Sequence, residues 1–298
     1  MDISVKTLQN GFSLPVYGLG TWQMGGRWEA DRTQDDKQIQ AIQFALEQGI
    51  THLDTAESYG NGHSEELIAL ATAGYDRSKL IITSKVSGNH QGYDDLLRSC
   101  EASLKRLKTD YLDLYLLHRF PEPGTDIRDT MRALDRLVAE GAVKHIGVCN
   151  MTVNRFVEAQ KHSANKLVCN QVHYSLECRE IADKGVLEYC QQNDVFVTAW
   201  GPLSKGTLGQ ADILAEMAEK YDKTPYQVAL NWLITQPNVI TIPKTSSPEH
   251  LSENLGALGW ELTAEDAQKL ARHYPDQIIV SDRVPLDYEA DIKSQRKE

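Results

Sequence analysis

A closed (β/α)8 barrel is the fold class that this 298-residue sequence predicts, as a single domain over 1–298, and three observations carry the prediction. Roughly eight short apolar or β-branched runs recur along the chain, helix-like amphipathic segments separate them, and no G-x-G-x-x-G follows the first run. Strict alternation of strand and helix implies parallel strands joined by right-handed crossovers. The missing glycine fingerprint argues against an open dinucleotide-binding sheet, whereas one eight-unit barrel suits a chain of this length.

The strand candidates, in order, are VYGLG (16–20), ITHLD (50–54), KLIITSK (79–85), YLDLYLLH (111–118), VKHIGVCN (143–150), LVCNQVHY (167–174), DVFVTAW (194–200) and VITIPK (239–244). Helix candidates such as DDKQIQAIQFALEQG (35–49) and TMRALDRLVAEG (130–141) fall between them. GGRWEADRTQDD (25–36) reads as a polar loop after the first strand. No Pro- or Ser-rich linker interrupts the pattern, which is the reason for expecting one domain.

Hydrophobic residues make up 41% and charged residues 24%, enough for a sizeable core and without the signature of general disorder. A formal net charge of -11 disfavours both nucleic acid and an anionic membrane face as partners, so any anion has to bind in a local basic pocket. Five cysteines, an odd number without a C-x-x-C pair, fit reduced thiols. The N-terminal residues show no basic segment followed by an apolar core, and no apolar run is long enough for a bilayer. A soluble, cytoplasmic protein, monomeric or weakly oligomeric, is the expectation.

In such a barrel the site is built at the C-terminal ends of the strands. Asp54 ends the second strand candidate, Lys85 the third, His118 the fourth and Asn150 the fifth, and Gln171 lies near the end of the sixth. Such groups are costly inside a core unless paired, so five successive strands finishing this way point to one shared mouth. Tyr59 follows Asp54 in the turn SYGNG. A phenol, ordinarily near pKa 10, is a poor proton donor or acceptor at neutrality unless neighbours tune it. A lysine cation beside it lowers its pKa, a carboxylate holds that lysine charged, and His118 can hydrogen-bond the phenol oxygen. The set suits protonation of a carbonyl oxygen while hydride reaches the carbon.

The segments DTAESYGNG, ITSK, YLLH, GVCN and NQVHYS, in that order, resemble the aldo-keto reductase family, and the likeness covers nearly the whole chain. The resemblance implies a (β/α)8 TIM barrel that uses NADPH to reduce a small aldehyde or ketone, with the family's tetrad on Asp54, Tyr59, Lys85 and His118. It sets the nicotinamide amide against Asn150 and Gln171 and its ring against Trp200, with Gly20, Thr21, Trp22, Asp54 and Cys149 around them. AWGPLSKG (199–206) resembles the loop over the pyrophosphate, which assigns Gly201, Pro202, Leu203, Lys205 and Gly206 to the cofactor. IPKTSSPEHLSEN (242–254) matches the grip on the adenosine 2′-phosphate, through Lys244, Thr245, Ser246 and His250, and on adenine, through Glu253 and Asn254. There Ser247 reads as an N-cap with Pro248 at the first helical position, so free N–H groups face an incoming phosphate.

His250 stands where many members carry arginine, which leaves room for some NAD(H) use, and an imidazole adds to the grip only when protonated, below about pH 6.5. Cys149 replaces a common serine. Arg119 replaces a common tryptophan, and HRFPEPGTDIRDTMRAL looks like the branch that includes channel-associated β subunits. Trp22, Trp28, Tyr59, His118 and Arg119, with IIVSDRVPLDYEAD (278–291) as a C-terminal loop over the mouth, are the expected substrate pocket. No metal is expected.

Each of these residues also has a plainer reading. Asp54 with Lys85 could be a structural ion pair, Tyr59 a packed tyrosine, His118 a satisfied core histidine, and Trp200 an apolar plug. His52, Asp54 and His118 could suggest a metal-dependent hydrolase, but ligation would set Lys85 as an unwelcome cation beside the ion. Cys169, His173 and Cys178 fit no common ligand spacing. A slow-turnover regulatory subunit that keeps barrel and cofactor is the rival from a different class, and single-turnover against steady-state NADPH oxidation discriminates it.

Overall fold

Each of the eight strand candidates becomes a parallel strand of one curled sheet in the computed structural model, which describes residues 3–204, 208, 211–274 and 277. They are β3 (Leu19–Gly20), β4 (His52–Asp54), β5 (Ile81–Val86), β6 (Leu112–Leu117), β7 (Val143–Cys149), β8 (Leu167–His173), β9 (Phe196–Trp200) and β10 (Val239–Thr241). Neighbours in sequence are neighbours in the sheet from β3 to β10. The sheet then closes on itself, because Gly18 N donates to Thr241 O at 2.8 Å and Thr241 N to Val16 O at 3.0 Å. Closure satisfies the edge groups that an open sheet would leave unpaired.

Helices between the strands pack against the outside of the barrel, and two of them show the buried stripe plainly. In α1 (Asp35–Glu47) that stripe is Ala41, Ile42, Ala45 and Leu46, at helical spacing. In α4 (Ile127–Ala139) it is Thr130, Met131, Ala133, Leu134 and Leu137. Strand β6 is buried on both faces along its whole length, as expected of a strand with helices outside and packed side chains within. No helix of the described residues is long and apolar enough to cross a membrane.

One element has no counterpart among the expected strands. A hairpin of β1 (Val5–Thr7) and β2 (Ser13–Pro15) carries Leu8, Phe12 and Leu14 into a second apolar cluster with Leu114, Leu116, Cys149, Val168, Cys169, Phe196 and Ile240. These are barrel-interior side chains, so the hairpin plugs the end of the barrel opposite the mouth. Its strands are too short for a visible alternation, but Asn10-Gly11 at the tip is a turn signal that would have found it.

Inside the barrel His52 lies two residues before Asp54, with Nε2 3.0 Å from Thr83 Oγ1. Burial, the largest influence, holds its pKa down at about 4. An unfolded chain therefore takes up this proton first as pH falls, so the stability His52 contributes is present above about pH 6.5 and is lost as pH falls toward 4. Wild-type protein is expected to lose about 2 kcal/mol through this residue between pH 7 and 5. Urea unfolding should show that loss shrink in His52→Gln, and an undiminished loss would reject the assignment.

Candidate active site

The residues at the mouth are placed by strand ends and by the turns that follow them. Asp54 ends β4 and Lys85 is the penultimate residue of β5, both pointing into the barrel and both buried. Lys85 Nζ donates to Asp54 Oδ1 at 2.6 Å and to Thr55 O at 2.7 Å. Asp54 Oδ2 accepts from Gln171 Nε2 at 2.7 Å, so both carboxylate oxygens are held. Burial alone would pull the Lys85 ammonium down, but Asp54 and then Tyr59 outweigh it, and the lysine is held charged above its usual range.

Tyr59 opens a 3-10 turn, Tyr59–Gly62, with its hydroxyl 3.4 Å from Lys85 Nζ. The turn requires glycine next to it. Gly60 has φ +54, and a Cβ there would stand 2.1 Å from Gly25 O, so only glycine lets the turn dock on the loop that carries Trp28. The tyrosine is thereby fixed against Trp22, edge-on at 4.8 Å, and Trp22 against the exposed Trp28 at 4.9 Å.

The tuning of the phenol differs from the sequence expectation. Burial is its largest influence and outweighs the downward pull of Lys85, while Asp54 opposes the lysine's field, so the Tyr59 hydroxyl is pushed up to about 12. It is a firmly protonated donor near neutrality. His118, just past β6 (its backbone N bonded to Val86 O at 3.0 Å), does not hydrogen-bond it; their rings meet edge-on with centroids 5.7 Å apart. Burial, then Lys85 and Arg119, hold the imidazole well below its ordinary pKa, so His118 is neutral.

A second group lines the neighbouring wall. Asn150 sits in the left-handed region at φ 55, accepts from Trp200 Nε1 at 3.1 Å and donates to His118 O at 3.4 Å. Among the described residues Gln171 Oε1 accepts no hydrogen bond. His173, unassigned from sequence, stacks on Trp200 at 4.3 Å with planes 10° apart, and its Nε2 lies 3.3 Å from Gly201 O. Gly20 N donates to Pro243 O at 3.2 Å, and Thr21 is bonded to the Asp54 carbonyl through both N and Oγ1. Cys149 ends β7 inside the barrel, close enough for its thiol to interact electrostatically with Lys85 and Asp54. It also belongs to the interior cluster, where burial, the largest influence, raises its thiol pKa. Pro202 is buried and Leu203 half-buried, while Lys205, Gly206 and the segment 278–291 lie outside the described residues.

The helix start after the last strand is built as its residues predict. Ser247 caps α10 (Pro248–Leu255), accepting from His250 N at 3.2 Å, and Thr245 Oγ1 accepts from Ser247 N at 3.1 Å. Lys244 is exposed, yet the packing around it, and then Lys37 of α1, hold its pKa below the lysine range. Lys37 was not foreseen; barrel closure brings α1 against α10. Two acids temper the patch: Glu249 accepts from Ser247 Oγ at 2.5 Å, and Glu253 stands 3.9 Å from the exposed imidazole of His250. Ser246 is half-buried and Asn254 buried. Among the described residues no three His, Cys, Asp or Glu side chains are grouped to hold a metal ion.

This geometry can be set beside known proteins. A glyoxal reductase of Bacillus subtilis is 36% identical over 88% of this chain and 90% of its own length. A methylglyoxal reductase of Escherichia coli is 35% identical over 88% and 92% respectively. The crystal structure of an aldo/keto reductase from Klebsiella pneumoniae in complex with NADP and acetate superposes with a TM-score of 0.83 at 34% identity, covering 93% of this chain and 98% of that one. With the model described as "Aldo/keto reductase family" matching residues 17–275, everything except the hairpin plug and the C-terminal tail, the chain belongs to the aldo/keto reductase family.

Proposed function

We propose that the protein reduces an aldehyde or ketone at the mouth of the barrel, with Tyr59 as proton donor, and that NADPH is the reductant. The observation that carries this reading is the buried chain Gln171–Asp54–Lys85–Tyr59, which sets a cation 3.4 Å from a protonated phenol at the rim of the apolar wall formed by Trp22 and Trp28. A plain structural ion pair would not need the phenol or the open mouth beside it.

NADPH, when bound, supplies the hydride. The residues present suit it: Gln171 Oε1 is left for an amide donor, Trp200 offers a flat face opposite His173, and Lys244, Lys37 and the capped start of α10 suit a phosphate. Tyr59 holds its proton until a neighbouring oxygen becomes more basic than a phenolate. Lys85 then stabilises the charge left on the tyrosine, and Asp54 keeps Lys85 charged and in place. Neutral His118 can donate to the carbonyl oxygen and orient it without adding charge. Screening aldehydes and ketones by loss of NADPH absorbance tests the reaction class, and no turnover across the panel would reject it.

Cofactor choice is the finer point. Lys244→Met is expected to weaken NADPH roughly ten- to a hundredfold and NADH little, because a charge-assisted hydrogen bond to the 2′-phosphate is lost. Dissociation constants by fluorescence titration decide it. Equal weakening of both cofactors would show that Lys244 does not read the 2′-phosphate.

A further inference from the structure

We propose that Arg119 makes the mouth selective for carbonyl compounds that carry a carboxylate a few bonds from the reacting carbon. The inference rests on the carbonyl-reductase reading above and names the substrate class of that same site. Arg119 directly follows His118 and is exposed, so its side chain borders the mouth between the loops after β5 and β6. Its backbone is anchored, with Arg119 O accepting from Gln91 Nε2 at 2.9 Å. Its stem lies over Gly88: a Cβ at that position would come 2.9 Å from Arg119 Cδ and 3.0 Å from Cγ, so the absence of a side chain there makes the room.

The guanidinium makes no hydrogen bond or ion pair with the described residues. Glu122, near the same stem, is not bonded to it, Asp126 at the end of the loop after β6 is paired with Arg128, and Glu57 of the loop after β4 is occupied by Ser87 N at 2.6 Å and His90 at 3.0 Å. An unpaired, planar, five-donor cation matches a carboxylate bidentately. Its field reaches the reaction centre, since Arg119 is one of the charges that keep His118 neutral. A second cation, Arg27, stands 5.7 Å over the ring of Trp28 on the facing loop. On a chain of net charge -11 the surface at large repels anions, so an arginine at the mouth without a partner among the described residues admits what the rest of the molecule turns away. A tryptophan at this position would offer no such charge.

The test compares 4-oxobutanoate with butanal, and glyceraldehyde 3-phosphate with glyceraldehyde, using the full chain and saturating NADPH. Wild type is expected to favour 4-oxobutanoate over butanal in kcat/KM by roughly tenfold or more, the worth of a charge-assisted contact, chiefly through KM. Arg119→Met should bring that ratio toward one, and Arg119→Lys should keep part of it. A ratio unchanged in Arg119→Met overturns the proposal, and so does discrimination in the phosphate pair alone. A wild-type ratio near one with butanal turned over rejects this proposal and leaves the reductase reading standing. No turnover of any of the four rejects both.

Discussion

Replacing Tyr59 with phenylalanine is expected to lower carbonyl reduction roughly a hundred- to ten-thousandfold, the span general-acid catalysis typically supplies, with NADPH binding changed little. The substitution deletes one hydroxyl whose contact with Lys85 is long, at 3.4 Å, while Lys85 keeps its two shorter partners, Asp54 Oδ1 and Thr55 O. The ring still packs edge-on against Trp22 and His118. The fold and the walls of the mouth are therefore preserved, and what disappears is the transferable proton. Steady-state turnover and a fluorescence titration with NADPH separate the two quantities. Turnover near the wild-type level would remove Tyr59 from the chemistry and move attention to His118.

Lys85→Met is expected to damage both activity and stability, and for different reasons. The phenol loses the cation that stabilises its conjugate base, so turnover should fall on a scale comparable with the tyrosine variant. Asp54 is left buried with Gln171 as its remaining side-chain partner, and an uncompensated buried charge costs about 3–5 kcal/mol. Adding Asp54→Asn removes that charge and should restore most of the stability without restoring turnover. Urea unfolding and NADPH oxidation on the three variants complete the cycle. If the double variant recovered activity along with stability, Asp54 and Lys85 would be a structural pair and nothing more.

The first of these variants also bears on the direction of proton transfer. A phenol at about 12 does not ionise near neutrality, and it releases its proton only to an oxygen more basic than itself, as an alkoxide is. Lys85 lowers the cost of that release, and burial prevents it from happening early. The sequence expectation held the lysine's pull without the burial that opposes it. The burial of Tyr59 comes from Trp22, His118 and the docking of its turn on Gly25, all far from it in the chain.

What the amino-acid sequence determined by itself is whatever local periodicity and local capping encode. The strand runs appear where expected because both faces of a barrel strand are covered, which leaves continuous apolar segments such as LDLYLL. Polar residues at their ends stood out because a lone Asp54 or Lys85 after such a run has no cheap structural role. Ser247 and Pro248 announced the start of α10 through the chemistry of the helix terminus alone. Tertiary structure decided the rest, through contacts between residues far apart in the chain. Gln171 reaches Asp54 across 117 residues, His173 covers one face of Trp200, and the charge of Lys37 acts on Lys244 only because closing the barrel sets α1 against α10. Closure also fixed the hairpin plug and the burial that governs Tyr59 and His118. Distance between strands, and the exclusion of water that follows from it, leave no periodic trace in a linear sequence, and for that reason the polar strand ends that gather at the mouth were legible while their hydrogen bonds and electrostatics were not.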